Sequence, residues 1–273
     1  MKISAKFILF FVILFSVSVY SQFKTTTKKF KPEQVNIEFL GSFAQPLPNL
    51  YGEISEFFSL KSYGVKFGFG GQINVKFVTN KKGTLRPYLS LGFTQFQGKN
   101  NSVAYIDSNI IINYPLSGNR IYSQGVAGKS SIALRNFHAG LGFEYAFVNK
   151  TRWTAYLGVD LDINVLYGTY KQTPTVSAGT PGEISFTIKE STRFGFAFSP
   201  GIQFRVNKAF GFVFSPRYRF TNILGKESKS SSQVNKMELL DKSDPGLNSN
   251  LNKDRQINYI EFLLGVAFYI GKK

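Results

Sequence analysis

Cysteine is absent from the 273 residues, which excludes a disulfide framework, a cysteine-ligated zinc site and a lipid-modified cysteine anchor. Histidine and tryptophan occur once each, so no histidine cluster is available for a metal. Long apolar runs are missing too. The longest, FILFFVILFSVSVY from Phe7 to Tyr20, has 14 residues, against the ~18 that a membrane-spanning helix needs. Preceded by Lys2 and Lys6, it has the form of a signal-peptide core. Val19 and Ser21 are small enough for the −3 and −1 positions, so cleavage is expected before Gln22 and the mature chain leaves the cytoplasm. Acidic residues are scarce as well. Sixteen Asp and Glu face 33 Lys and Arg, a formal charge of +17, or +15 once Lys2 and Lys6 are removed. That balance favours anionic surroundings such as phosphate headgroups.

What the chain has in abundance is Phe (29), Gly (25) and Tyr (14), set out in strict alternation. In SYGVKFGFGGQINVKFVTN, apolar Val65, Phe67, Phe69, Ile73, Val75 and Phe77 alternate with Lys66, Gly68, Gly70, Gln72, Asn74 and Lys76. The same period of two recurs and predicts eight strands, near 34–45, 62–79, 85–98, 132–148, 153–168, 191–206, 209–222 and 256–270. Most exceed the ~5–6 residues of a soluble strand. Short turns around 80–84, 149–152 and 207–208 alternate with long polar loops near 46–61, 99–131, 169–190 and 223–255. All four long loops therefore fall at one end, and three short turns with both termini at the other. Residues 22–33 (QFKTTTKKFKPE) read as a basic, flexible tail, and 34–273 as one domain without a linker.

Two architectures could use such strands. In a soluble barrel or sandwich the apolar face is the core. In a transmembrane barrel the arrangement inverts, with apolar residues toward lipid and small or polar ones in the lumen. The polar face decides between them. A water-exposed strand surface favours Thr, Lys and Glu, because Gly weakens a strand. Here that face holds Gly64, Gly68, Gly70, Gly92, Gly140, Gly142, Gly158, Gly195, Gly201, Gly211 and Gly265. Such a density suits the crowded interior of a narrow barrel. The charges on this face are of mixed sign and can pair. The acids are Glu38, Glu144, Asp160, Asp162 and Glu261; the bases are Lys66, Lys76, Arg86, Arg193, Arg205, Arg217 and Arg219, with His138 beside them. The expected fold is an all-β, eight-stranded, up-and-down antiparallel transmembrane barrel with a filled polar lumen, closed so that every backbone group is bonded.

The segments LRPYLSLGF, GFAFSPGIQFRVNKAFGF, SPRYRF and the final INYIEFLLGVAFYIG resemble the small outer-membrane β-barrel family typified by OmpA transmembrane domains, OmpX and the PorT-like barrels, over roughly residues 34–270. The chain departs from that pattern by adding Gly271-Lys272-Lys273 after Ile270, so the end signal would be read from Phe268 and Tyr269. The resemblance implies an outer-membrane location, with membrane lipids and lipopolysaccharide as neighbours.

Several motifs do not carry chemistry. GVAGKS at 125–130 looks like half of a phosphate loop, but its first glycine would fall at Ser123 and no helix pattern follows. DKSDPGLNSNLNKD at 241–254 has oxygen ligands without calcium-loop spacing. His138 has no serine placed as a nucleophile, so catalysis and cofactors are not expected. The face that carries the aromatic rows holds hardly a charge, with Arg135 the clear exception, so lipid contact explains them better than nucleic-acid stacking. The bases Lys81, Lys82, Lys150, Arg152, Lys208, Lys272 and Lys273 fall at the short-turn end and predict a periplasmic basic rim toward lipid headgroups or an acidic partner. Function is then expected in the loops, as a non-enzymatic surface-interaction or envelope role. A narrow porin-like conduit and a PorT-like component of protein secretion are the alternatives, the last implying an envelope or secretion protein as partner.

Overall fold

The computed structural model describes residues 32–47, 50, 64–99, 101–103, 128–147, 152–174, 184–225, 236–237 and 256–271. The strands are β1 (Val35–Pro46), β2 (Val65–Phe77), β3 (Leu85–Gly98), β4 (Asn101–Val103), β5 (Gly128–Ala146), β6 (Trp153–Pro174), β7 (Ile184–Arg205), β8 (Phe210–Leu224), β9 (Lys236–Met237) and β10 (Asn258–Ile270). Eight long strands pair antiparallel in the order β3-β2-β1-β10-β8-β7-β6-β5, and β3 also pairs β5, which closes the sheet on itself. β4 carries on the ladder along β5 beyond the end of β3, and β9 adds two parallel pairs to β7.

The size of the cylinder follows from its register. A walk from Asn36 along paired residues passes Lys76, Tyr88, Gly142, Asp160, Ala197, Arg219 and Tyr259. It returns to β1 at Pro46, ten residues beyond its start. Eight strands with that stagger tilt by about 40°, and such a barrel is only just wide enough to be filled by side chains. Every residue on the walk faces inward.

Alternation along each strand sets two opposite surfaces. On β5, Phe137, Leu141, Phe143 and Tyr145 are exposed, up to 67% for Leu141, while Asn136, His138 and Glu144 are buried at 0–1%. On β6, Leu161 is 71% exposed between Asp160 and Asp162, at 1% and 2%. Charge inside and bare Leu and Phe outside is the inverse of a soluble fold. The outward apolar residues of β5 and the residue after it run from Phe137 to Phe147, a tilted height of about 25 Å, which matches the apolar band of a transmembrane barrel. Aromatic pairs reinforce this surface, including Trp153 with Phe204 (4.6 Å) and Phe43 with Phe67 (5.7 Å).

The short-turn end is pinned by local chemistry. In the β2–β3 turn, Gly83 takes φ +70° and its N–H donates to the Asn80 carbonyl, while Asn80 Oδ1 accepts from Thr84 N. In the β7–β8 turn, Asn207 Oδ1 accepts from both Ala209 N and Phe210 N at 2.8 Å.

Three differences from the sequence expectation have physical causes. β5, β6 and β7 reach beyond the apolar band, so parts of the expected loops 99–131 and 169–190 are strand. The alternation simply continues there, with polar residues now on the outside. A β-bulge between Val65 and Gly68 adds one residue to β2. It turns Val65 inward (0% exposed) and leaves Lys66 exposed on the outer face, so Lys66 does not belong to the lumen. Finally, the lumen is not polar throughout. Toward the long-loop end, Val65, Phe96, Ile132, Leu134, Leu166, Tyr170, Ile188 and Tyr259 are all buried, forming an apolar tier above the charges. The segments 1–31, 104–127 and 241–255, which include the expected signal peptide, most of the basic tail, the first half of the GVAGKS motif and the acidic loop, lie outside the described residues.

Candidate functional site, the lumen

Inward parity brings side chains from all eight long strands into one column. At the short-turn mouth, Glu33 accepts from Arg205 at 2.5 Å and lies 3.6 Å from Arg86. The Arg205 guanidinium sits 3.7 Å from the centre of the Tyr269 ring, a cation–π contact. Around this mouth Thr154, Gln203 and Pro32 line a cavity of about 10 Å³, room for about one water.

One level deeper, Lys76 lies between two carboxylates, 2.6 Å from Glu38 and in direct contact with Glu144. The ammonium also rests 4.4 Å from the Tyr156 ring centre. Arg86 donates to Glu144 at 3.1 Å and to Gln203 Oε1 at 3.0 Å. Glu38 in turn accepts from Gln203 at 2.5 Å and from Asn74 at 2.9 Å.

The middle is organised by Gln72. Its Oε1 accepts from Arg217 at 2.8 Å and Arg219 at 3.2 Å, lies 3.3 Å from His138 Nε2, and its Nε2 bonds Asn74. Arg219 pairs with Asp162 and, at 3.2 Å, with Glu261, which also accepts from Thr94 at 2.7 Å. Arg217 lies 3.5 Å from Asp160, and Tyr88 donates to the same carboxylate at 2.9 Å. Above it, Asn136 of β5 donates to Tyr259 of β10 at 2.9 Å, from strands on opposite sides of the barrel. Arg193 is buried and donates to the Gly225 carbonyl.

The arrangement is balanced. Among the described residues six carboxylates (Glu33, Glu38, Glu144, Asp160, Asp162, Glu261) and six bases (Lys76, Arg86, Arg193, Arg205, Arg217, Arg219) are buried. Removing charges from water is costly unless each is paired and hydrogen-bonded, and here the pairs interlock across the cylinder. The lumen glycines are what make room. A Cβ on Gly142 would lie 2.7 Å from the Tyr88 hydroxyl, and one on Gly211 2.6 Å from that of Tyr269.

Of the residues expected in the lumen, Glu38, Lys76, Arg86, His138, Glu144, Asp160, Asp162, Arg193, Arg205, Arg217, Arg219 and Glu261 lie there, and Lys66 does not. His138 contacts Gln72 rather than a hydroxyl nucleophile. Sequence reasoning passed over Glu33, Gln72, Tyr88 and Gln203. Parity alone placed the last three on the inner face; Glu33 precedes the first alternating residue and carried no such signal. At the short-turn rim Lys81, Lys82, Arg152 and Lys208 are exposed, whereas Lys150, Lys272 and Lys273 lie outside the described residues.

Eight strands, a stagger of ten, an apolar exterior and a charged, filled interior define a transmembrane β-barrel, the fold of the small outer-membrane barrels. Similar solved structures include Neisserial surface protein A (14% identity, 87% of this chain and 97% of that chain, TM-score 0.41). The outer membrane protein OprG from Pseudomonas aeruginosa is 10% identical over 90% of this chain and 100% of that one, with a TM-score of 0.44. Ail, the attachment invasion locus protein of Yersinia pestis, is 11% identical over 87% and 98%, at 0.38. No protein-family model matches the chain, and no curated protein matches it in sequence.

Proposed function

We propose that this chain resides in the outer membrane and works without catalysis, through the long connections at one end of the barrel, in surface interaction or envelope structure. The observation that carries the reading is the lumen bonded shut. Gln203 to Glu38, Thr94 to Glu261 and Asn136 to Tyr259 each cross the cylinder, so that among the described residues polar contacts span the lumen at successive levels. A filled cylinder is a rigid mount, and recognition then falls to the segments it displays. In this orientation the short turns face the periplasm. Lys81, Lys82, Lys150, Arg152, Lys208, Lys272 and Lys273 would there meet inner-leaflet phospholipid headgroups or an acidic partner.

Recording from the purified protein in planar bilayers tests the reading. No unitary conductance is expected, and a steady ohmic channel would favour the conduit alternative. Shortening residues 104–127 should abolish surface binding while leaving the barrel folded. Recovery of secretion machinery with a tagged copy, unaffected by that deletion, would favour a secretion role instead.

A further inference from the structure

The short-turn mouth is held by a residue that the barrel wall does not supply. Along β1 the inward side chains are Asn36, Glu38 and Leu40, so strand parity would point Gln34 inward and Glu33 outward. The structure has the reverse. Gln34 stays in the ladder, donating to the Ile270 carbonyl at 3.0 Å and accepting from Val78 N at 2.9 Å, but the chain bends there. Gln34 ends exposed, and Glu33 is swung into the mouth at 4% exposure. The carboxylate is its tie to the barrel, since among the described residues the Glu33 backbone makes no hydrogen bond. One oxygen accepts from Arg205; the other, Oε1, is buried without a hydrogen bond, 3.6 Å from Arg86. Two guanidiniums thus converge on a carboxylate that is only half bonded.

The charge around this mouth is wrong for the segment that fills it. Lys81, Lys82, Arg152 and Lys208 stand exposed on the three short turns. No described carboxylate stands exposed beside them; the one exposed acid among the described residues, Glu190, is at the other end. Residues 22–33 carry Lys24, Lys28, Lys29 and Lys31 against Glu33 alone. That tail is like-charged with the rim and complementary to it at a single position, whereas an acidic chain would be complementary throughout. A protein chain fits better than a lipid headgroup. The mouth opens on the barrel axis, away from the lipid-facing surface, and Pro32 with Glu33 shows that it admits main chain.

We infer that the short-turn mouth is a docking site for an acidic segment of a protein chain, whose carboxylate enters between Arg86 and Arg205 and displaces Glu33, the occupant supplied in cis. This names the site for an acidic partner of the proposed function, and rests on that reading only for the compartment from which the partner comes. Calorimetric titration of the whole protein in nonionic detergent micelles uses a short peptide of alternating Pro and Glu, with its Pro–Gln counterpart. A charge-assisted hydrogen bond is worth at least about tenfold. Glu33→Gln, which removes the charge of the competitor, should therefore raise affinity for the Glu peptide about tenfold. Added to that variant, Arg205→Gln should abolish the gain, whereas Lys208→Gln, which removes the same charge from the rim, should keep most of it. Lys129→Gln with Lys171→Gln, exposed at the long-loop end, should leave the affinity within about twofold of the unmodified protein. Heat-dependent gel migration checks that each variant is folded. No gain from Glu33→Gln overturns the site. Equal effects of the Arg205 and Lys208 changes would reduce binding to diffuse attraction by the rim, and overturn it too. Equal affinity for the Gln peptide overturns the carboxylate assignment, and displacement of the Glu peptide by dioctanoyl phosphatidylglycerol overturns a protein chain as the occupant. Micelles have no compartments, so failure here is separable from failure of the conductance test of the proposed function.

Discussion

Replacing Lys76 by methionine tests whether the lumen is held by paired charge. The side chain is 2% exposed and lies between Glu38 and Glu144, both at or below 1%. Met keeps the length of the stem but withdraws the cation from both carboxylates at once. Removing one partner of a buried ion pair costs about 3–5 kcal/mol. Glu38 keeps Asn74 and Gln203 as donors and Glu144 keeps Arg86, so the loss falls at the lower end. About 3 kcal/mol is expected, roughly a 150-fold change in the folding equilibrium. Adding Glu38→Gln removes the one carboxylate whose only cation partner among the described residues was Lys76, and should recover at least about 1 kcal/mol of that loss. Equilibrium urea unfolding in lipid reads both, with the single tryptophan, Trp153 at the short-turn rim, as the reporter. A single-variant loss below about 1 kcal/mol, with no recovery in the double variant, would refute the ion-pair account.

Other substitutions probe separate parts of the reasoning. Gly142→Val places a Cβ 2.7 Å from both the Tyr88 hydroxyl and the Val159 carbonyl oxygen; overpacking should cost about 1–3 kcal/mol by the same unfolding assay. Arg219→Met strips the partner from Asp162 and Glu261 and should cost about 3–5 kcal/mol, whereas Lys66→Gln on the outer face should change stability by less than about 0.5 kcal/mol. Leu141→Arg, at 67% exposure near the middle of the apolar band, should cost about 2–4 kcal/mol in a bilayer. On a water-facing surface the same change would be close to neutral.

Much of this structure could be read from period two alone. The eight long strands, the face each residue takes and the sign-balanced interior all follow from which parity carries glycine and charge. Parity fails wherever one residue is inserted. Around Val65-Lys66-Phe67 the alternation reads smoothly through the bulge, so the sequence assigns Lys66 the lumen side that Val65 takes. Nothing local marks the slip, because the bulge is set by the register between β2 and β3. The apolar tier was partly legible. Leu134 and Leu166 share the inward parity of Asn136 and Asn164, a sign that the inner face changes character toward the long loops. Individual partners were not legible. Lys76 with Glu144 and Arg86 with Gln203 join residues 68 and 117 apart, and only the closed register brings them together.

The central claim is that the greasy face meets lipid and the charged face fills the barrel. The absence of native cysteine allows it to be tested directly with single spin labels along β5 in reconstituted vesicles. Labels at Phe137→Cys, Leu141→Cys and Tyr145→Cys should be relaxed strongly by oxygen, which concentrates in the bilayer, and hardly at all by a water-soluble nickel chelate. Relaxation of those same labels by the nickel chelate rather than by oxygen would mean the apolar face meets water, and the barrel account would be contradicted.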